Sequence, residues 1–97
     1  MIAVVVTVMA RLQLDLPGVT SLKEKRRILK SLMSRLRQDF NLSIAEVGSN
    51  DVLRRCELGA AVVANDIKHA SRVMDKAINK IESNYEVVLA HVSTEAY

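Results

Sequence analysis

From Ile2 to Leu14 the chain alternates with a period of two. Ile2, Val4, Val6, Val8, Ala10, Leu12 and Leu14 form one unbroken apolar row, opposite Ala3, Val5, Thr7, Met9, Arg11 and Gln13. β-Branched density with this alternation predicts a strand, because successive side chains on extended backbone point to opposite faces. A wholly apolar row must be covered, so the remaining segments have to supply a second layer. Pro17-Gly18, which holds the only proline, ends the strand in a loop.

The cover is a pair of amphipathic helices. Ser21-Leu22-Lys23-Glu24 has the form of a capping box: the Ser21 hydroxyl accepts from the Glu24 amide and the Glu24 carboxylate reaches back. At ~100° per residue, Leu22, Ile28, Leu29, Leu32, Met33, Leu36 and Phe40 share one face. The helix is expected to stop near Phe40-Asn41. Leu42 to Val47 reads as a second strand, Gly48 to Asp51 as a turn, and Leu53 to Ala64 as a third strand. Asn65 or Asp66 caps a second helix, whose apolar stripe is Ile67, Ala70, Val73, Met74, Ala77, Ile78 and Ile81. Asn84 closes it, and a fourth strand runs from Tyr85 to Thr94.

Two βαβ units joined by a hairpin predict an α+β, ferredoxin-like βαββαβ sandwich. Right-handed crossovers place both helices on one face of a four-stranded antiparallel sheet, with the first and third strands central. A single domain is expected over residues 1–97, a length that sustains one core without disulfides or metal. The apolar N-terminus has no basic n-region and is too short to span a bilayer. With the lone Cys56 excluding an intramolecular disulfide, a cytoplasmic protein without membrane association is expected.

Charge is segregated on the first helix. Ser21 to Arg37 holds seven basic residues and one acid, +6, whereas the rest of the chain has seven basic and ten acidic residues, −3; the sum is the net +3. Such segregation speaks of an anionic partner more than of fold. Lys23, Arg26, Arg27 and Lys30 recur at i, i+3, i+4 and i+7, and Arg37 extends the stripe. This ridge is the candidate nucleic-acid-binding site, expected to follow the phosphates of structured RNA with little sequence preference. Arg54 and Arg55, near the hairpin, are possible additions to it. Lys25 projects toward the apolar arc, so its stem is expected on the core edge with the ammonium reaching outward.

Other chemistries have little support. The central strands contain no aromatic residue, which argues against base stacking on the open sheet face. His69 and His91 lie on different elements without carboxylate or thiol at ligand spacing, and no nucleophile–base–orienter set is present. No catalytic, cofactor-binding or metal-binding residue is nominated, and no enzyme activity is expected. The open sheet face is short of polar residues: Ala3, Val5, Thr7 and Met9 point outward, and both rows of Leu58 to Val63 are apolar. A second copy is expected to cover it, making a homodimer.

Three ordered segments carry a resemblance. Leu16 to Arg27 (LPGVTSLKEKRR) resembles the LPG-x-x-SLKEKRR signature of the YlxP-like family, bacterial proteins of unknown function. Phe40 to Val47 is similar to that family's FNVSVAEV segment, and Leu58-Gly59 to Asn65-Asp66 to its LG-x-x-x-V-x-N-D turn. The loop Ser49 to Arg55 departs from it in having no Trp. The resemblance implies a ferredoxin-like fold. The family's genes neighbour those of translation initiation and small-subunit maturation, which implies a ribosome-associated role and a partner in structured RNA or the small ribosomal subunit. The alternatives are a ligand-binding regulatory domain or a protein-interaction domain whose ridge docks on an acidic partner, either acting as a homodimer.

Overall fold

The computed structural model describes residues 3–97. Its elements are β1 (Val6–Asp15), α1 (Leu22–Asp39), β2 (Ser43–Gly48), β3 (Arg55–Ala64), α2 (Ile67–Glu82) and β4 (Val88–Ala96). The strands form one antiparallel sheet in the order β2-β3-β1-β4, so β1 and β3 are central. This is the ferredoxin-like arrangement that the sequence predicts. Register fixes which row is covered: β1 runs against β3 from Val6↔Ala64 to Asp15↔Arg55. Val8, Ala10, Leu12 and Leu14 therefore line up with Val62, Ala60, Leu58 and Cys56, and all eight are buried.

The helices close this face. α1 contributes Ile28, Leu29, Leu32 and Leu36, and α2 contributes Ala70, Met74, Ala77 and Ile81, all buried. Removing one such Leu or Ile side chain from water stabilises by roughly 1.5–3 kcal/mol. Asp66 caps α2 by accepting from the amides of Lys68 and His69, at 3.4 and 3.3 Å.

Strand boundaries shift where pairing ends or a turn competes. Ala3 to Val5 lie outside β1, because β3 ends at Ala64 opposite Val6; Ile2 lies outside the described residues. β2 starts at Ser43 because Leu42 N–H turns back to the Phe40 carbonyl at 3.0 Å. β3 starts at Arg55 because Val52 N–H bonds Ser49 O at 3.1 Å, a turn in which Ser49 takes the left-handed φ of 59°. β4 starts three residues later than expected, since Asn84 to Val87 form a turn: Asn84 Oδ1 accepts from Glu86 N–H at 2.9 Å and Asn84 O from Val87 N–H at 3.3 Å. At its far end pairing continues, with Thr7 and Tyr97 exchanging backbone bonds of 2.9 and 2.8 Å.

Gly48 sits where β2 slips register against Glu57, and a Cβ there would collide with the Glu57 carboxylate. Gly59 lies under Val47, whose methyl would stand 3.2 Å from an added Cβ. That leaves a shallow groove of about 300 Å³ on the open face, bordered by Met9, Arg11, Val47, Gly59, Ser93 and Glu95.

Candidate nucleic-acid interface

α1 begins as the sequence requires on one side of the cap and differently on the other. Ser21 has extended backbone and its hydroxyl accepts from the Glu24 amide at 3.1 Å. The Glu24 carboxylate takes the Thr20 hydroxyl at 3.0 Å, so the reciprocal half of the capping box is served by Thr20. Glu24 is thereby committed at the first turn, away from the ridge.

All five ridge residues are exposed, but their surroundings divide them. Arg27 Nη2 lies 3.4 Å from Glu86 Oε2, a surface pair of the kind that contributes ~0–1 kcal/mol. Arg37 Nη2 donates to the Ile44 carbonyl at 2.7 Å and so belongs partly to the architecture: it caps an outward carbonyl of edge strand β2. Lys23, Arg26 and Lys30 have no hydrogen-bond or ion-pair partner among the described residues. The free part of the ridge is these three cations, on two adjacent helical turns.

Lys25 corrects the sequence-based expectation. Its side chain runs inward and is 1% exposed. The ammonium donates to Ser49 O at 2.8 Å and Val52 O at 2.7 Å, lies 3.5 Å from Asn50 O, and pairs with Glu46 Oε2 at 3.4 Å. A buried ammonium is tolerable only with such compensation. The cause lies in β2: Ile44 and Glu46 share the helix-facing row, so one carboxylate points at the helix layer and calls for a cation. That pairing was the available signal in the sequence. Lys25 thus pins the β2–β3 loop and is absent from the surface charge.

The neighbouring Arg54 is also structural, its Nε donating to Val19 O at 3.1 Å. Arg55 stands opposite Asp15 in the β1–β3 register. Neither joins the ridge. Cys56 is buried with its thiol pushed up to about 12, first by burial and then by the charge of Glu46. It is held as the unreactive thiol. His69 is exposed on the first turn of α2 and His91 on β4. Among the described residues no three His, Cys, Asp or Glu side chains gather as metal ligands, and no helix is long and apolar enough to cross a membrane.

One feature escaped the sequence reading. Tyr85, at the tip of the α2–β4 turn, is 96% exposed and stands beside Arg35 and Lys80, close to the Arg27–Glu86 pair. Nothing in its local sequence announces this, because the neighbours come from α1 and from the end of α2.

The fold and this surface define a small ferredoxin-like domain with a basic first helix. The chain belongs to the family described as Protein of unknown function (DUF503), which matches residues 7–94. It is 33% identical over 75 residues to the uncharacterized protein YlxP of Bacillus subtilis (strain 168), covering 77% of this chain and 82% of that protein. Among solved structures it is similar to the de novo designed protein Foldit4, with a TM-score of 0.56, 14% identity and 96% of each chain covered. That likeness speaks to the fold alone.

Proposed function

We propose that this protein is a non-enzymatic accessory factor that binds structured RNA through α1, with the small ribosomal subunit as its setting. The observation that carries the proposal is the set of three exposed cations without partners among the described residues, Lys23, Arg26 and Lys30, on a helix whose only first-turn acid is turned away to Thr20. Arg27 adds a fourth contact when it leaves Glu86, and Arg37 flanks the stripe. Three to four neutralised phosphates give a slope of log K against log salt of roughly −2 to −4. The test is co-sedimentation of the Lys23→Glu/Arg26→Glu/Lys30→Glu variant with ribosomal subunits. Loss of sedimentation with the fold intact supports the proposal. Unchanged, salt-resistant sedimentation counts decisively against it, and association that survives nuclease digestion points to an acidic protein partner instead.

We further propose that the open sheet face is covered by a second copy. Val47, Val63 and Met9 are 62, 61 and 47% exposed on it, between small residues at Ala45, Gly59 and Ala61. Its charges are mixed, Arg11 and Arg55 against Asp15, Glu57 and Glu95, so the face suits a copy of itself better than a polyanion. Four strands at ~4.8 Å and ten residues at ~3.3 Å give roughly 600 Å² per copy, the lower end of stable interfaces. The isolated chain exposes 6291 Å², whereas a monomer of its mass ordinarily exposes about 5,500 Å².

A further inference from the structure

The central strands offer no aromatic surface to a base, yet the other side of the molecule does. Tyr85 is held by an ordered turn: Asn84 accepts from the amides of Glu86 and Val87, Asn84 N–H bonds Ile81 O at 3.1 Å, and Val87 is buried. The backbone on each side of Tyr85 is therefore fixed while its ring projects almost wholly into solvent. Such a ring is pre-organised for a flat partner and loses little freedom on stacking.

The ring borders a groove of about 220 Å³ formed where α1 meets the end of α2, lined by Leu32, Arg35, Lys80, Asn84, Tyr85 and Glu86. That is smaller than the ~300–1,000 Å³ clefts that enclose drug-sized ligands; it suits a single ring system. The charges lining it are Arg35, Lys80 and Glu86, with Arg27 and Asp39 reaching it only as partners of Glu86 and Lys80. Each acid already has a cation: Asp39 pairs with Lys80, and Glu86 with Arg27. Among the described residues Arg35 donates only to the Ser31 hydroxyl, at 3.0 Å, so its charge remains for an anion. The Arg27–Glu86 contact joins the Tyr85 turn directly to the basic ridge. Tyr97 makes the contrast: it is 68% exposed but its hydroxyl is bonded to Glu95, an acid.

We propose that this groove binds one unpaired nucleotide of an RNA chain, its base stacked on Tyr85 and its phosphate held by Arg35. The proposal rests on α1 as the RNA-binding element and extends it from backbone contact to recognition of a duplex that ends or opens beside the ridge. Stacking on an aromatic ring is sequence-tolerant, because every base has a π-face, and it requires a base free of its helix.

The test compares a blunt RNA hairpin with the same hairpin carrying a three-nucleotide single-stranded overhang, bound to the wild-type chain and to Tyr85→Ala, Tyr85→Trp and Lys23→Glu/Arg26→Glu/Lys30→Glu variants. The wild type is expected to prefer the overhang hairpin by roughly fivefold or more. Tyr85→Ala removes the preference and leaves blunt-hairpin affinity unchanged. Tyr85→Trp keeps it, and its indole, the sole one in a chain without Trp, is quenched by the overhang hairpin and not by the blunt one. The proposal is overturned if the preference survives Tyr85→Ala, or if neither the overhang hairpin nor the free trinucleotide at millimolar concentration quenches the indole. The ridge variant separates the two ideas: blunt-hairpin binding that survives it defeats the ridge, whereas the overhang preference of Tyr85→Ala and the indole signal decide the groove.

Discussion

Lys25 Nζ lies 2.7 Å from the carbonyl oxygen of Val52, so one cation of an otherwise surface-facing set is built into the interior. With Ser49 O and Glu46 completing its surroundings, it ties α1 to the β2–β3 loop. The loop is held besides by Val52 N–H to Ser49 O and by the Ser49 hydroxyl to Glu57 Oε2, each at 3.1 Å. Ser49 adopts a left-handed backbone there, and Val52 and Asn50 are exposed.

Removing the ammonium leaves these carbonyls and the Glu46 carboxylate uncompensated. Lys25→Met is expected to destabilise by about 3–5 kcal/mol, because breaking a buried pair strands the remaining charge. Lys25→Met/Glu46→Leu should recover part of this loss, since neither charge is then buried alone. Urea denaturation of Lys25→Met, Glu46→Leu and the double variant measures the coupling, and amide exchange at Ser49 to Leu53 should quicken selectively in Lys25→Met. A double-variant loss equal to the sum of the two single losses would show that Glu46 is not a partner.

Cys56 gives a pH dependence of known sign. Its folded thiol titrates near 12 against an ordinary value of 9.0, so the unfolded chain releases the proton first. The contribution is fully present below pH 9 and is lost as pH rises toward 12, by at most ~1.4 kcal/mol per unit. Other groups titrate over this range, so the measurement is the difference between wild type and Cys56→Ala in urea melts at pH 8 and 10.5. The gap should narrow at the higher pH. A disulfide reagent at pH 8 should react only as fast as the chain unfolds.

Arg37 separates architecture from binding. Its guanidinium holds the outward carbonyl of Ile44 at 2.7 Å, whereas Lys30 on the same stripe touches no partner among the described residues. Arg37→Ala is expected to cost about 1 kcal/mol of stability, a charged hydrogen bond discounted for partial exposure. Lys30→Ala should be neutral in stability and weaken RNA binding, lowering the salt slope by about 1. Thermal melts and salt titrations of the two variants distinguish these roles. Equal stability in both would remove Arg37 from the edge.

The fold was legible because its signals are periodic and local. Val6 to Leu14 alternates along β1, two apolar stripes at helical spacing mark α1 and α2, and Ser21 and Asp66 cap them. Edges of elements were less legible, because they depend on where a neighbour stops, as with Val6 opposite Ala64, or on a side chain such as Asn84 bonding a nearby amide. The ridge was legible as spacing, but spacing does not say which cations are already used. Arg27 meets Glu86 from across the chain, Arg37 meets Ile44, and Lys25 turns inward toward Glu46. Tyr85 was invisible as a site for the same reason, since Arg35 and Lys80 approach it through tertiary packing.

The open face yields the last prediction. Met9 and Val63 are 47 and 61% exposed on the central strands, so replacing them removes little packing within one copy. Met9→Glu/Val63→Glu should leave the circular dichroism spectrum intact and shift stability by less than about 1 kcal/mol, apart from what is lost with the second copy. Between two copies the substitutions would set four carboxylates against one another at the centre of an apolar band, where desolvated like charges repel most strongly. Light scattering should therefore give twice the chain mass for wild type at micromolar concentration and a single chain for the variant. A wild-type mass of one chain would refute the dimer outright. An unchanged dimer in the variant would move the interface away from Met9 and Val63, toward one of the sheet edges.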